Sequence, residues 1–286
     1  MTWMEINIRL GNESLEAATA ILLDAGCQGV AEDSSKPETL SAFMEVTPDF
    51  DIKFQELSGK LSEISQFGLE PPSSITTHRI NEADWANEWK KYFKPMEIGD
   101  KLVIKPSWED YEGERTRIIL ELDPGQAFGT GGHATTRLCL IALEDYIHPG
   151  DKVADVGTGS GILSIAAAKL GAGEVHAMDI DSLPRRVARE NAELNGVADK
   201  VTVHEMEEFD SLVSDCDLVV ANIIADTIID LLPSFYNTRL REGGVLITSG
   251  IVEERLNDVQ CAAEKVGFQL LEVREEDIWR ALIHKK

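Results

Sequence analysis

Between Trp3 and Leu10 the chain alternates, with Met4, Ile6, Ile8 and Leu10 set against mostly polar neighbours, the period-two pattern of a strand with one buried face. The next stretch, ESLEAATAILLDAG, changes period, because Leu15, Ala18, Leu22 and Leu23 recur at helical spacing. Two further strands (QGVAED, TLSAFMEV), a second helix (DIKFQELSGKLSEISQFG) and a last strand (SITTHRI) complete the run. Strand, helix, two strands, helix, strand is the split β-α-β order of a small ferredoxin-like α+β unit, assigned here to residues 1–82. It holds no cluster of His, Cys or paired catalytic groups, so it is expected to bind a partner and leave the chemistry to the rest of the chain.

In ADWANEWKKYFKP the aromatics Trp85, Trp89 and Phe93 recur every fourth residue until Pro95 ends the run. That pattern predicts a helical linker over 83–97, with its aromatics packed as one stripe. Two extended stretches follow, DKLVIKPSW and RTRIILELD, and then a loop with Gly125, Gly129, Gly131 and Gly132. The loop feeds a helix expected to start near Thr135 or Thr136, where a threonine can cap free backbone N–H groups. From Lys152 onward strand and helix patterns alternate: KVADVG, GILSIAAAKLG, EVHAMDI, LPRRVARENAELNG, KVTVHE, DLVVAN, DTIIDLLPSFYNTRL, GGVLITSG, ERLNDVQCAAEKVG and FQLLEV. Repeated β-α units of this length predict a mostly parallel sheet covered on both faces, in one domain over 98–286. Ligands of such sheets lie beyond the carboxyl ends of the strands.

The strand KVADV runs into GTGSG, with glycines at 157, 159 and 161. A P-loop would continue Gly-Lys-Ser or Gly-Lys-Thr, whereas Gly161 is followed by Ile-Leu-Ser-Ile. The dinucleotide fingerprint needs a third small residue where this chain has Ile162 in one register and Ser164 in the other. Asp155, two residues before the first glycine, would also repel a pyrophosphate. A cationic ligand without phosphate reverses that objection. S-adenosylmethionine, which carries a sulfonium, an ammonium and a carboxylate, suits glycines that admit the backbone closely together with a nearby acid.

The next strand ends in HAMDID, and Asp179 stands where an acid accepts from both ribose hydroxyls. Asp181 is the second candidate, although it also precedes a helix start that it can cap. DLVVAN ends at Asn222, whose side-chain oxygen can accept from an amine N–H and aim the nitrogen lone pair at a methyl group, and which can equally cap the following helix. Adenine contacts are expected near HEMEEFDSL, among Glu205, Met206, Glu207 and Glu208. Phe128 is a candidate apolar wall of the pocket and His133 a candidate proton relay to water, each with a plain structural role as its alternative.

Composition and charge narrow the partners. With 51 acidic against 27 basic residues the formal charge is −24, which disfavours direct nucleic-acid binding and attracts a basic protein surface. No window approaches a membrane span and the start carries no secretory leader, so a cytoplasmic chain acting as a monomer is expected. Cys27, Cys139, Cys216 and Cys261 form no Cys-x-x-Cys pair, so no metal site is expected.

Taken together, DWANEWKKYFKP, KPSW, DPGQAFGTGGHATTRLCL, DVGTGSGILSIAAAKLGA, DIDSLPRRVARENAELNG, VVANIIAD, GGVLITSGI and EEDIWRAL resemble, in one order, the ribosomal protein L11 methyltransferase family. The N-terminal part is similar only in overall pattern, GCQGVAED being its clearest stretch, and Ala134 and Ser182 stand where the family often has proline. The resemblance implies a Rossmann-like α/β fold with a seven-stranded methyltransferase sheet after a ferredoxin-like substrate-recognition domain. It implies S-adenosylmethionine as cofactor and N-methylation of lysine ε-amines, with the N-terminal α-amine of the ribosomal protein as a further target. The cofactor contacts it carries over fall on Thr136, Gly157, Asp179 and Asn222, the last three of which spacing also selects. The other functions to be tested are methylation of a different protein, a dinucleotide-dependent oxidoreductase and a non-catalytic cofactor-binding module.

Overall fold

The computed structural model describes residues 2–27, 30–32, 39–67, 69–81, 93–123 and 131–286. Among them the chain forms two compact units, divided between Lys94 and Pro95.

In the first unit β1 (Thr2–Arg9), α1 (Leu15–Asp24), β2 (Val30–Glu32), β3 (Thr39–Glu45), α2 (Phe50–Glu63) and β4 (Ser74–Asn81) follow the order that the periodicity predicts. The strands form an antiparallel sheet in the order β2-β3-β1-β4. Ile6 and Ile8 of β1 and Leu40, Ala42 and Met44 of β3 share one core with Ala18 and Leu22 of α1 and Leu57 and Leu61 of α2. The alternation in β1 is therefore the imprint of two helices packed on one face of the sheet. Trp85, Trp89 and the rest of 82–92 lie outside the described residues. Phe93 to Pro95 is irregular, and a strand begins at Met96, so the last two positions expected in the helical linker belong to the second unit's sheet.

That unit opens with a small sheet of β5 (Met96–Ile98), β6 (Leu102–Lys105) and β7 (Ile118–Glu121), antiparallel and then parallel. A buried carboxylate ties it to α3 (Ala134–Tyr146): Glu144 accepts the backbone N–H groups of Asp100, Lys101 and Leu102, each at 2.9 Å. Replacing Glu144→Gln removes the charge and sets an amide N–H against one of these donors, so stability is expected to fall by about 2 kcal/mol. A urea-melt midpoint equal to wild type would contradict this account of the turn.

The main sheet contains β8 (Lys152–Val156), β9 (Glu174–Met178), β10 (Val201–His204), β11 (Cys216–Asn222), β12 (Leu240–Val252), β13 (Gln269–Glu276) and β14 (Trp279–Lys285). Its order is β10-β9-β8-β11-β12-β14-β13, parallel except that β14 runs antiparallel to both neighbours. Helices α3, α4 (Ile162–Leu170) and α5 (Ser182–Leu194) cover one face, and α6 (Met206–Leu212), α7 (Ala225–Ser234) and α8 (Leu256–Val266) the other. Leu218 and Val220 of β11 join the first core while Val219 and Ala221 join the second. Burial on both faces is why this strand reads as a continuous apolar run instead of an alternation. No helix among the described residues is long and apolar enough to cross a membrane, and none of their His, Cys, Asp and Glu side chains form a group suited to a metal ion.

Candidate functional site

From β8 the chain first builds outward through β9 and β10, then returns to place β11 on the other side of β8. Ligands of open parallel sheets sit at this reversal of direction. Met178, Val156 and Ala221 are the last residues in register across the three strands, so Asp179, Gly157 and Asn222 follow side by side as a row at the carboxyl edge. Three residues far apart in sequence are thereby brought together by strand pairing.

The bend after β8 needs its glycines. Gly157, Gly159 and Gly161 have φ of 80°, 55° and 84°, the left-handed region that side-chain-bearing residues avoid. At Gly157 a Cβ would lie 2.4 Å from Cγ2 of Ile223, and at Gly161 it would lie 3.1 Å from Cα of Ala188. The backbone turns back on itself so that the N–H groups of Gly157 and Thr158 both donate to Met178 O at 2.9 Å. Gly159 N–H donates to Oδ2 of Asp179 at 3.0 Å, while Oδ1 of Asp179 accepts Asp181 N–H at 3.1 Å. Arg185 donates to the carbonyls of Asp179 and Ile180 from behind, which holds that loop. Asp181 is exposed and occupies the N-cap position of α5, but its side chain makes no capping hydrogen bond.

Asp155 points from β8 into the covered side of the bend and is 0% exposed. Its Oδ2 accepts the hydroxyls of Thr158 at 2.7 Å and Ser164 at 2.6 Å, while Oδ1 is buried with no hydrogen-bond partner among the described residues. Burial pushes this carboxyl up to about 6; the two hydroxyls oppose the rise and the charge of Asp179 adds to it. An acid held this way accepts positive charge and rejects phosphate, so the residues present suit a cationic ligand.

On the other side of Gly157, Asn222 donates from Nδ2 to the hydroxyl of Thr136 at 3.3 Å, in the first turn of α3. The amide nitrogen is therefore engaged by the protein. Thr136 is inside the helix and does not cap it, contrary to the expectation of a threonine cap. The cap is His133, with φ −83° and ψ 140°, whose Nδ1 accepts Thr135 N–H at 3.3 Å. Burial, aided by the charge of Arg137, lowers His133 to about 4, and its ring meets Trp279 edge-on at 5.0 Å. The structural role offered as the alternative for His133, a helix cap, is thus filled by its Nδ1. Phe128 lies outside the described residues.

Three residues at this edge did not emerge from the sequence, Thr158, Ser164 and Ile180, whereas Met206 did. Ser164 and Thr158 hold Asp155, and Ser164 had a signal: it is the one hydroxyl in the otherwise apolar and almost wholly buried face ILSIAAA. Ile180, directly after Asp179, is 70% exposed, and Met206, at the start of α6, is also exposed. Apolar side chains bare to solvent beside a polar strand end are what a flat aromatic base would cover. Glu205, the N-cap residue of α6, is 3.6 Å from Arg185.

The sequence matches known proteins along nearly its whole length. The family model described as Ribosomal protein L11 methyltransferase (PrmA) matches residues 2–286. A protein of Pelotomaculum thermopropionicum named ribosomal protein L11 methyltransferase is 43% identical over 306 residues, covering 99% of this chain and 98% of its own. One of the same name from Caldanaerobacter subterraneus subsp. tengcongensis is 37% identical over 310 residues, covering 100% and 99%. Among solved structures, a ribosomal protein L11 methylase from Lactobacillus delbrueckii subsp. bulgaricus aligns with a TM-score of 0.63 and 37% identity, covering 67% of this chain and 98% of that one.

Proposed function

Since the chain belongs to the ribosomal protein L11 methyltransferase family, and is with it an S-adenosylmethionine-dependent protein methyltransferase, we propose that it methylates amines of ribosomal protein L11: lysine ε-amines, and the N-terminal α-amine as a further target. The observation that supports this reading most is Asp155, a buried carboxylate with one oxygen unpartnered, flanking a glycine bend whose other flank carries Asp179. The acidic surface, at a formal charge of −24, favours a basic protein partner such as a ribosomal protein.

The residues that would hold the cofactor are Thr136, Asp155, Gly157, Gly159, Gly161, Asp179 and Asn222. When bound, S-adenosylmethionine supplies a methyl group already activated on a sulfonium. The chain's task is to hold a neutral amine in line with it. A lysine ε-amine of ordinary pKa, about 10.4, must first lose a proton, which costs about 4 to 5 kcal/mol at neutral pH. Placing that amine away from water and near positive charge lowers the cost. Asn222 is assigned the positioning: its Nδ2 is spent on Thr136, so its Oδ1 accepts an amine N–H and turns the nitrogen lone pair inward. His133 holds the first turn of α3 in place, and the proton leaves to water.

Calorimetry of the purified protein with S-adenosylmethionine and with NAD, followed by methyl transfer to purified L11 and mass mapping of the modified residues, tests the proposal. Binding of S-adenosylmethionine alone and methylated lysines on L11 are expected. Binding of NAD in its place, or methyl transfer only to other proteins of a lysate, would overturn it.

A further inference from the structure

The two hydroxyls on Asp155 are arranged unequally, and that inequality has a function. Thr158, in the glycine bend, and Ser164, on the first turn of α4, both donate to Oδ2, and their own oxygens lie 3.2 Å apart. All three residues are buried, and nothing among the described residues donates to Oδ1. A buried carboxylate loses most of its stabilisation when water is removed, and hydrogen bonds to one oxygen restore part of it while leaving the other open.

We propose that Thr158 and Ser164 are positioning residues for methyl transfer, gripping Asp155 by one oxygen so that it stays ionised and presents the other to the cationic end of the methyl donor. This rests on the cofactor assignment above. Of the titratable groups near it, Asp179 at the end of β9 acts against ionisation through its charge, while Cys139 of α3, whose thiol is pushed up by burial first and by Asp155 second, stays neutral. From β11 the residue opposite Asp155 in register is Val220, which offers no charge. Burial raises the threshold most, and the two hydroxyls, with the backbone N–H of Ser164, are what hold it down. With the carboxyl held near 6 in the free protein, a cation binds best to the ionised form, so affinity is retained above that pH and lost as pH falls through it. Removing either hydroxyl destabilises the ionised form and moves the threshold upward.

The test is the affinity for S-adenosylmethionine by calorimetry from pH 5.5 to 7.5, in wild type, Thr158→Val, Ser164→Ala and Thr158→Ser, with proton release read from buffers of different ionisation heat. Wild type is expected to lose about tenfold per pH unit below the threshold. In Thr158→Val and Ser164→Ala the fall begins about one unit higher, so the loss relative to wild type grows as pH drops, and proton release at pH 6.5 increases. Thr158→Ser, which keeps the hydroxyl, follows wild type. A loss of the same factor at every pH would mean that the two residues only support the fold, and would overturn the inference. So would a wild-type affinity that does not vary with pH, whereas a wild type that does not bind the cofactor would overturn the functional proposal itself. The two substitutions remove separate donors, so either one that folds decides the matter.

Discussion

Asp179→Ala is expected to lower the affinity for S-adenosylmethionine by at least about two orders of magnitude. Hydrogen bonds to a charged acceptor are worth about 1.5 to 3 kcal/mol each, so losing two equals a factor of a hundred or more. The carboxylate is assigned the ribose hydroxyls, and the structure adds a second reason for a large effect. Its Oδ2 accepts Gly159 N–H and its Oδ1 accepts Asp181 N–H, so it also fixes the glycine bend and the start of α5. Asp179→Asn keeps one acceptor oxygen and is expected to lose only about tenfold. Calorimetry gives the affinities, and a thermal melt checks that the fold survives, as expected for a residue outside the core. A dissociation constant for the alanine variant within threefold of wild type would remove Asp179 from the site.

The second large effect is on rate. Asn222→Ala is expected to reduce single-turnover methyl transfer by about a hundredfold to a thousandfold, while changing cofactor affinity by less than about fivefold. The division follows from its two ends: Nδ2 is anchored to Thr136 and Oδ1 is left to orient the acceptor amine. Thr136→Val, nearly isosteric, frees the amide to rotate and should cost about tenfold in rate. Rapid-quench measurement with the cofactor saturating separates the terms. If Asn222→Ala and Asp179→Ala lose binding equally, Asn222 is a cofactor ligand and its assignment as the positioning group fails.

The strand-end places of both residues were legible before any coordinates: Asp179 directly follows β9 and Asn222 ends β11, at the carboxyl edge of the sheet. The order of strands was less legible. β14, WRALIHK, did not emerge from the hydropathy pattern, because it is buried on both faces and carries Arg280 and His284 among its apolar residues. It reverses direction and inserts between β12 and β13, a choice made by long-range pairing that no local period records. The helix cap went to His133 and not to a threonine because capping depends on which residue takes the extended backbone conformation, and Gly131, with φ of 88°, lets the chain turn two residues before Thr135 is reached.

The sequence by itself determined the two-part build, the type of nearly every element and the identity of the acids around a glycine bend, since periodicity, turn residues and charge act over a few neighbours. Only the tertiary structure decided that Asp179, Gly157 and Asn222 stand in one row, that Thr136 holds Asn222, and that Asp155 has one satisfied oxygen and one bare. Those facts come from register between strands and from the exclusion of water around a carboxylate, which arise only when distant segments pack together.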